Sequence, residues 1–177
     1  FGYELNLCEM PDSDLKIVTE QVEFYKKWRA LFQFGDYYRL PDNGYMIVSR
    51  DKTKAVAFAV EKNARPNNDY RKIRTCGLSE DKIYNVVNRV VPLSIKDFGT
   101  LVNAVAPVHV KQDGVIHNIM DKVVHMSGEE QKACATGAAL NNHGLALNAS
   151  FGGTGYNQDM RIMRTGDTRL YIFEEAH

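Results

Sequence analysis

One stretch limits this chain more than any other: residues 21–40, Gln-Val-Glu-Phe-Tyr-Lys-Lys-Trp-Arg-Ala-Leu-Phe-Gln-Phe-Gly-Asp-Tyr-Tyr-Arg-Leu. It holds the end of an amphipathic helix, a glycine stop and the first strand of an all-β module. Leu15, Val18, Val22, Tyr25 and Phe32 recur at spacings of three, four and seven, and Lys16, Glu20, Glu23, Lys27 and Arg29 take most of the other face. That periodicity predicts a helix of about five to six turns. Asp12 or Ser13 suits the N-cap, and Asp14 suits the positive end of the helix dipole. Gly35 is expected to stop the helix by accepting a positive φ. Ile17, Phe24, Trp28 and Leu31 widen the apolar side beyond one stripe. Such a helix, with no partner helix in the chain, needs another surface, which a domain outside these residues would supply.

Strands follow in quick succession. Residues 37–41, 45–50 and 54–62 are separated by Asp42-Asn43-Gly44 and Asp51-Lys52-Thr53, which carry turn chemistry. Residues 63–68 hold Pro66 and read as a loop; residues 70–76 alternate as a strand should, and Gly77 to Asp81 turns the chain into a strand at 82–87. Short strands at near-regular spacing predict a mainly β fold, an antiparallel β-sandwich of Greek-key type preceded by the one long helix. Residues 88–132 are the least regular part. There Val108–Val110 and Val115–Val124 bracket Lys111-Gln112-Asp113-Gly114 and read as a hairpin.

His109, His117 and His125 recur every eight residues, which raises a metal site. The glycine turn parts the first from the others, so they read as solvent-facing strand histidines and no metal is expected. The run Ser150-Phe151-Gly152-Gly153-Thr154-Gly155-Tyr156-Asn157 is glycine-rich, but it lacks the Gly-Lys-Ser/Thr of a phosphate loop. A strand-like stretch (159–163), not a helix, follows it. It reads as a structural loop, with a sugar- or partner-contacting loop as the alternative. Residues 168–174 form a clear last strand.

Composition removes several classes of function. Lys plus Arg and Asp plus Glu both total 22, so the formal net charge is zero, which argues against nucleic acid or an anionic membrane as partner. No run approaches the roughly 18 to 20 apolar residues of a membrane span. Cys8, Cys76 and Cys134 are odd in number and scattered, as free thiols of a reducing cytoplasm are. The chain opens on Phe1 with no charged leader or apolar signal core, and reads as a piece of something longer.

Several motifs, in order, resemble one family. They are Phe-Gly-Tyr-Glu-Leu at 1–5, the helix 21–34, Tyr-Arg-Leu at 38–40, Met46-Ile-Val-Ser49 with Asp51-Lys52, and Arg74-Thr-Cys-Gly-Leu78. Leu140-Asn-Asn-His-Gly-Leu145, Phe151-Gly-Gly-Thr-Gly-Tyr-Asn157 and Arg169-Leu-Tyr-Ile-Phe-Glu174 complete the set. Together they resemble the C-terminal third of bacterial α-galactosidases of glycoside hydrolase family 36, most of all those of lactic acid bacteria. Asn141 stands where that family usually has Met. The resemblance implies that residues 1–35 are the tail and last helix of a catalytic (β/α)8 barrel, and residues 36–177 the C-terminal sandwich. It implies a parent that hydrolyses terminal α-galactosides of the melibiose or raffinose type with retention, through two aspartates about 5 to 5.5 Å apart. Neither aspartate maps here, because both belong to barrel strands upstream.

The resemblance therefore implies an inert piece of a hydrolase, with no catalytic residue, no cofactor and no metal. Its expected partners are the barrel and other copies of the full-length enzyme. Candidate contact residues are Trp28, Phe32, Phe151, Gly153 and Tyr156. An autonomous carbohydrate-binding module is the alternative, using Tyr37, Tyr45, Tyr70 and Tyr156, since Trp28 sits in the helix. A protein-interaction domain unrelated to sugars is the third reading. With the barrel surface missing, Trp28, Leu31 and Phe32 are expected to drive self-association.

Overall fold

The helix expected from the apolar repeat is the longest element of the fold: α1, Asp12–Phe34, 23 residues, preceded by a 3-10 turn at Leu7–Glu9. A computed structural model describes residues 5–10, 12–41, 43–62, 71–90, 92–124, 126–128, 130–147 and 168–176, leaving out the side chains of 12–14, 92, 126 and 127. Gly35 does stop α1, but for a reason other than the expected one. Its φ is not among the positive values; instead, a Cβ there would lie 2.7 Å from Ile47 Cγ2 and from the Leu31 carbonyl oxygen. Glycine is needed because the chain turns directly onto the sheet.

The strands are β1 (Asp36–Leu40), β2 (Gly44–Val48), β3 (Lys54–Val60), β4 (Lys72–Ile73), β5 (Ile83–Asn88), β6 (Pro92–Leu93), β7 (Met126–Ser127), β8 (Lys132–Thr136), β9 (Leu145–Ala146) and β10 (Thr168–Glu175). Six of them form one antiparallel sheet in the order β1-β2-β3-β10-β5-β8. The last strand thus enters the middle, where Phe173 stands opposite Ala55 on one side and Val86 on the other. Side chains alternate across the pleat. Met46, Val48, Ala55, Ala57, Tyr84, Val86, Tyr171 and Phe173 are buried on the inner face, and Val56, Phe58, Ile47, Leu170 and Ile172 meet α1 on the outer one. The edge strand β1 keeps Asp36 and Arg39 exposed, charges that discourage further pairing.

The inner face is closed by β4 paired with β9 and by α3 (Gly137–Asn142), whose first turn is capped by the Thr136 hydroxyl accepting from the Ala139 amide. The expected strand 70–76 is thus reduced to two residues. Arg71 instead pairs with the buried Glu61 and donates to the Val60 carbonyl, and Thr75 donates to Asn141. Gly77, at φ 83, lets the chain pass under Tyr38, whose ring would collide with any Cβ there.

Residues 92–127 form an appendage between β5 and β8, its base made by β6 paired with β7. It holds a 3-10 segment (Ile95–Ala104, kinked at Gly99) and α2 (Val115–Val123), around a small core of Ile95, Phe98, Val102, Val110 and Met120. Asn103 fastens it, donating to the Val110 carbonyl at 3.1 Å and accepting from the Val110 amide. The expected hairpin of 108–110 with 115–124 is therefore overturned: its second arm is a helix. Val115, Ile116, Ile119 and Val123 favour strands as residue types, but the spacing of four at 115, 119 and 123 prevails. His117 is accordingly no solvent-facing strand histidine. It is buried on α2, with Nδ1 accepting from the Asp113 amide at 3.1 Å, while His109 is exposed.

Candidate functional site

The seam between α1 and the sheet gathers the candidate residues that the structure describes. Phe24, Trp28 and Leu31, spaced four and three, lie on one helix face and turn it toward β3 and β10. Trp28 is 4% exposed and Leu31 9%, both packed around Val56. This corrects the expectation that Trp28, Leu31 and Phe32 await a surface from elsewhere: the outer face of the sheet covers them. Phe32, half-buried, meets Phe58 with ring centroids 6.2 Å apart. Burial of side chains this large contributes about 1.5–3 kcal/mol each.

Rings continue from the helix to the sheet edge. Phe58 stacks on Tyr45 at 4.4 Å, and Tyr45 on Tyr37 at 6.0 Å. Burial, and then the neighbouring Tyr37, push the Tyr45 hydroxyl above the ordinary tyrosine pKa. Tyr37 ends the ladder, 60% exposed. Tyr70, Phe151, Gly153, Tyr156 and His125 lie outside the described residues.

Where α1 ends, a cleft of about 530 Å³ opens against the β2–β3 turn, floored by Trp28 and Leu31 and edged by Lys27, Arg50, Asp51 and Lys54. The Lys27 and Lys54 ammoniums stand 5.5 and 5.9 Å from the Trp28 ring centre, a cation–π arrangement. The Trp28 Nε1 is buried with no hydrogen-bond partner. Among the described residues that line the cleft Asp51 is the one carboxylate, and the turn occupies its Oδ1. Its Oδ1 accepts from the Ser49 hydroxyl at 2.6 Å and from the Thr53 amide and hydroxyl at 3.1 and 2.9 Å. These bonds hold its pKa down to about 2. A general acid for glycoside cleavage needs a raised pKa and a second carboxylate nearby. At Asp51 the pKa is lowered, not raised, and no second carboxylate is among the described residues that line the cleft.

The other carboxylates with visible partners are structural. Glu175 accepts from Lys82 at 2.9 Å, Glu174 lies 3.7 Å from Lys54, and Glu61 holds Arg71. Tyr84, fully buried, links three segments by donating to the Lys52 carbonyl at 2.7 Å and accepting from the Ser79 amide at 3.0 Å. Among the described residues no group of His, Cys, Asp and Glu is placed to hold a metal, and no helix is long and apolar enough to cross a membrane.

Sequence reasoning missed the role of Asn141, noted only as a departure from the family pattern. It accepts from the Thr75 hydroxyl at 2.7 Å and donates to the Leu78 carbonyl at 3.1 Å. Two motifs far apart in sequence, 74–78 and 140–145, thus grip each other.

Residues 42–168 match the family described as "Glycosyl hydrolase family 36 C-terminal domain". Among curated proteins the chain is similar to "Alpha-galactosidase AgaA" of Geobacillus stearothermophilus, 34% identical over 92 residues, covering 49% of this chain and 13% of that protein. It is also similar to "Alpha-galactosidase Mel36A" of Lactobacillus acidophilus, 38% identical over 88 residues, covering 47% and 12%. The chain thus spans only about an eighth of these relatives. Its fold is similar to that of the galactosidase domain of the α-galactosidase–sucrose kinase AgaSK, with TM-score 0.61, 22% identity and coverage of 99% of this chain and 18% of the other. An α-galactosidase of Lactobacillus brevis gives TM-score 0.60, 21% identity and the same coverage. Because the family match takes in most of the chain, this protein belongs to glycosyl hydrolase family 36 and represents its C-terminal domain.

Proposed function

We propose that this chain is the non-catalytic C-terminal part of a retaining α-galactosidase acting on terminal α-galactosides, and that its role is structural. One observation carries the reading: Asp51, the only carboxylate among the described residues that line the cleft, has its Oδ1 held by its own turn and its pKa lowered, away from that of a general acid. The lengths of the curated relatives support a parent whose chemistry lies in residues outside this chain. The start of the family match at residue 42 supports residues 1–35 as the tail and last helix of the barrel, with 36–177 as the accessory domain. The domain packs on that barrel and contributes to oligomer contacts. Free thiols at Cys8, Cys76 and Cys134 support a reducing, cytoplasmic setting.

The purified chain, assayed on a chromogenic α-galactoside, should give no turnover. Turnover that survives repurification would place a catalytic pair in these residues and end the proposal. A second reading, sugar binding without catalysis, draws on the exposed Tyr37 at the end of its ring ladder. Galactose titration separates the two, since the structural role predicts no saturable signal.

A further inference from the structure

Three side chains lining the cleft at the end of α1 carry donors with no acceptor among the described residues. Lys27 and Arg50 make no ion pair or hydrogen bond there, and the Trp28 Nε1 is buried without a partner. Asp51, on the same lining, is at ion-pair distance from neither cation, and its Oδ1 is taken up by Ser49 and Thr53. Lys54 is turned to Glu174, 3.7 Å away. The negative end of the α1 dipole reaches this corner too, but it amounts to about half a charge, so with Asp51 it offsets the two cations only in part. Below the charges the surface is apolar: Trp28 and Leu31 form the floor, and Phe34, 66% exposed, stands beside them.

We propose that this cleft is a binding site for a small organic anion, an apolar or aromatic body bearing one acidic group. Lys27 and Arg50 hold the acid, and Leu31, Phe34 and the exposed edge of Trp28 receive the body. The guanidinium of Arg50 suits an acid group because it offers two parallel N–H bonds, and Lys27 adds a point charge. A volume of about 530 Å³ falls within the range of small-molecule sites, which join an apolar lining to a few placed polar groups. A neutral sugar fits less well. The Lys27 and Lys54 ammoniums stand over the Trp28 ring, 5.5 and 5.9 Å from its centre, where a sugar face would stack.

The site is formed by the last turns of α1 together with the β2–β3 turn, so a bound anion also ties the helix to the sheet.

Trp28 is the chain's one tryptophan, so its emission reports on this cleft directly. The test is a titration of the intact chain with anilinonaphthalene sulfonate, an apolar ring system with one fixed negative charge, read as energy transfer from Trp28. A saturable signal from one site per chain is expected. Lys27→Gln combined with Arg50→Gln, both at exposed positions, should weaken binding at least about tenfold with far-UV dichroism unchanged, as the loss of a charge-assisted hydrogen bond does. Lys27→Arg, which keeps the charge, should stay within about threefold of the native chain. Phenylnaphthylamine, the same rings without the acid, should bind at least about tenfold more weakly than the sulfonate. Absence of a saturable signal would overturn the proposal. So would equal binding of the neutral compound, which would leave only an apolar groove, or indifference to the double substitution. Displacement of the sulfonate by galactose would overturn it in favour of the sugar reading.

Discussion

α1 and α2 are both amphipathic helices with more apolar surface than one contact needs, and the sheet covers one while the other stays bare. On α1 the aromatic residues Phe24 and Trp28, with Leu31, land on Val56 and its neighbours. On α2 the β-branched stripe faces outward, and the covered arc carries a buried histidine and a methionine. Breadth of apolar surface alone therefore says little about whether a helix still needs a partner. What separates the two is what lies beneath: a six-stranded sheet with an apolar outer face, or a small satellite core.

The largest effect expected from this contrast is at Trp28. Trp28→Ala should lower unfolding free energy by about 3 kcal/mol, read from urea denaturation, since it empties the centre of the seam. A loss below about 0.5 kcal/mol would mean that α1 is not held by the sheet. Next comes the inner layer, where Asn141→Ala should cost roughly 1–3 kcal/mol by leaving Thr75 and the Leu78 carbonyl short of partners. Asn141→Asp, which keeps the acceptor and removes the donor, should fall between, and no difference among the three would dissolve the clasp.

A smaller effect is expected at the β2–β3 turn. The folded pKa of Asp51 is lowered from 3.8 to about 2, chiefly by the Ser49 hydroxyl and then by Thr53. The lowered pKa favours the charged form in the fold, so this stabilisation is complete above about pH 4 and is lost as pH falls toward 2. Asp51→Asn should flatten that part of the acid limb in a melting series from pH 5 to 2, while an unchanged slope would show that the turn does not hold the carboxylate. The smallest effect is at Ile119: in dilute solution Ile119→Asp should change stability by less than about 0.5 kcal/mol. A large loss there would erase the distinction between the helices.

Much of the fold was legible in the chain order. β1, β2, β3, β5 and β10 fall within a residue or two of the stretches expected for them, because each is an alternating or continuous apolar run set between turn residues. α1 was legible from its repeat, although the stripe that meets the sheet is Phe24-Trp28-Leu31 rather than the run from Leu15. Its covering surface was not legible, since Val56 and Ile172 lie far along the chain and only the pairing of β10 with β3 brings them side by side. For the same reason nothing local announced that the last strand would enter the middle of the sheet. α2 was misread because its residues favour strands, and the spacing of four at 115, 119 and 123 was the signal that could have found it. Asn141 and Thr75 had a weaker signal, a polar residue within each of two motifs, and only the fold joins them.

Amide hydrogen exchange over residues 24–34 tests the central claim, that the outer face of the sheet holds α1 in place. These amides should exchange as slowly as those of β3 and β10, in one cooperative unit. Exchange at the rate of an isolated helix, with β3 and β10 still protected, would show that α1 waits for a surface elsewhere and would contradict the account.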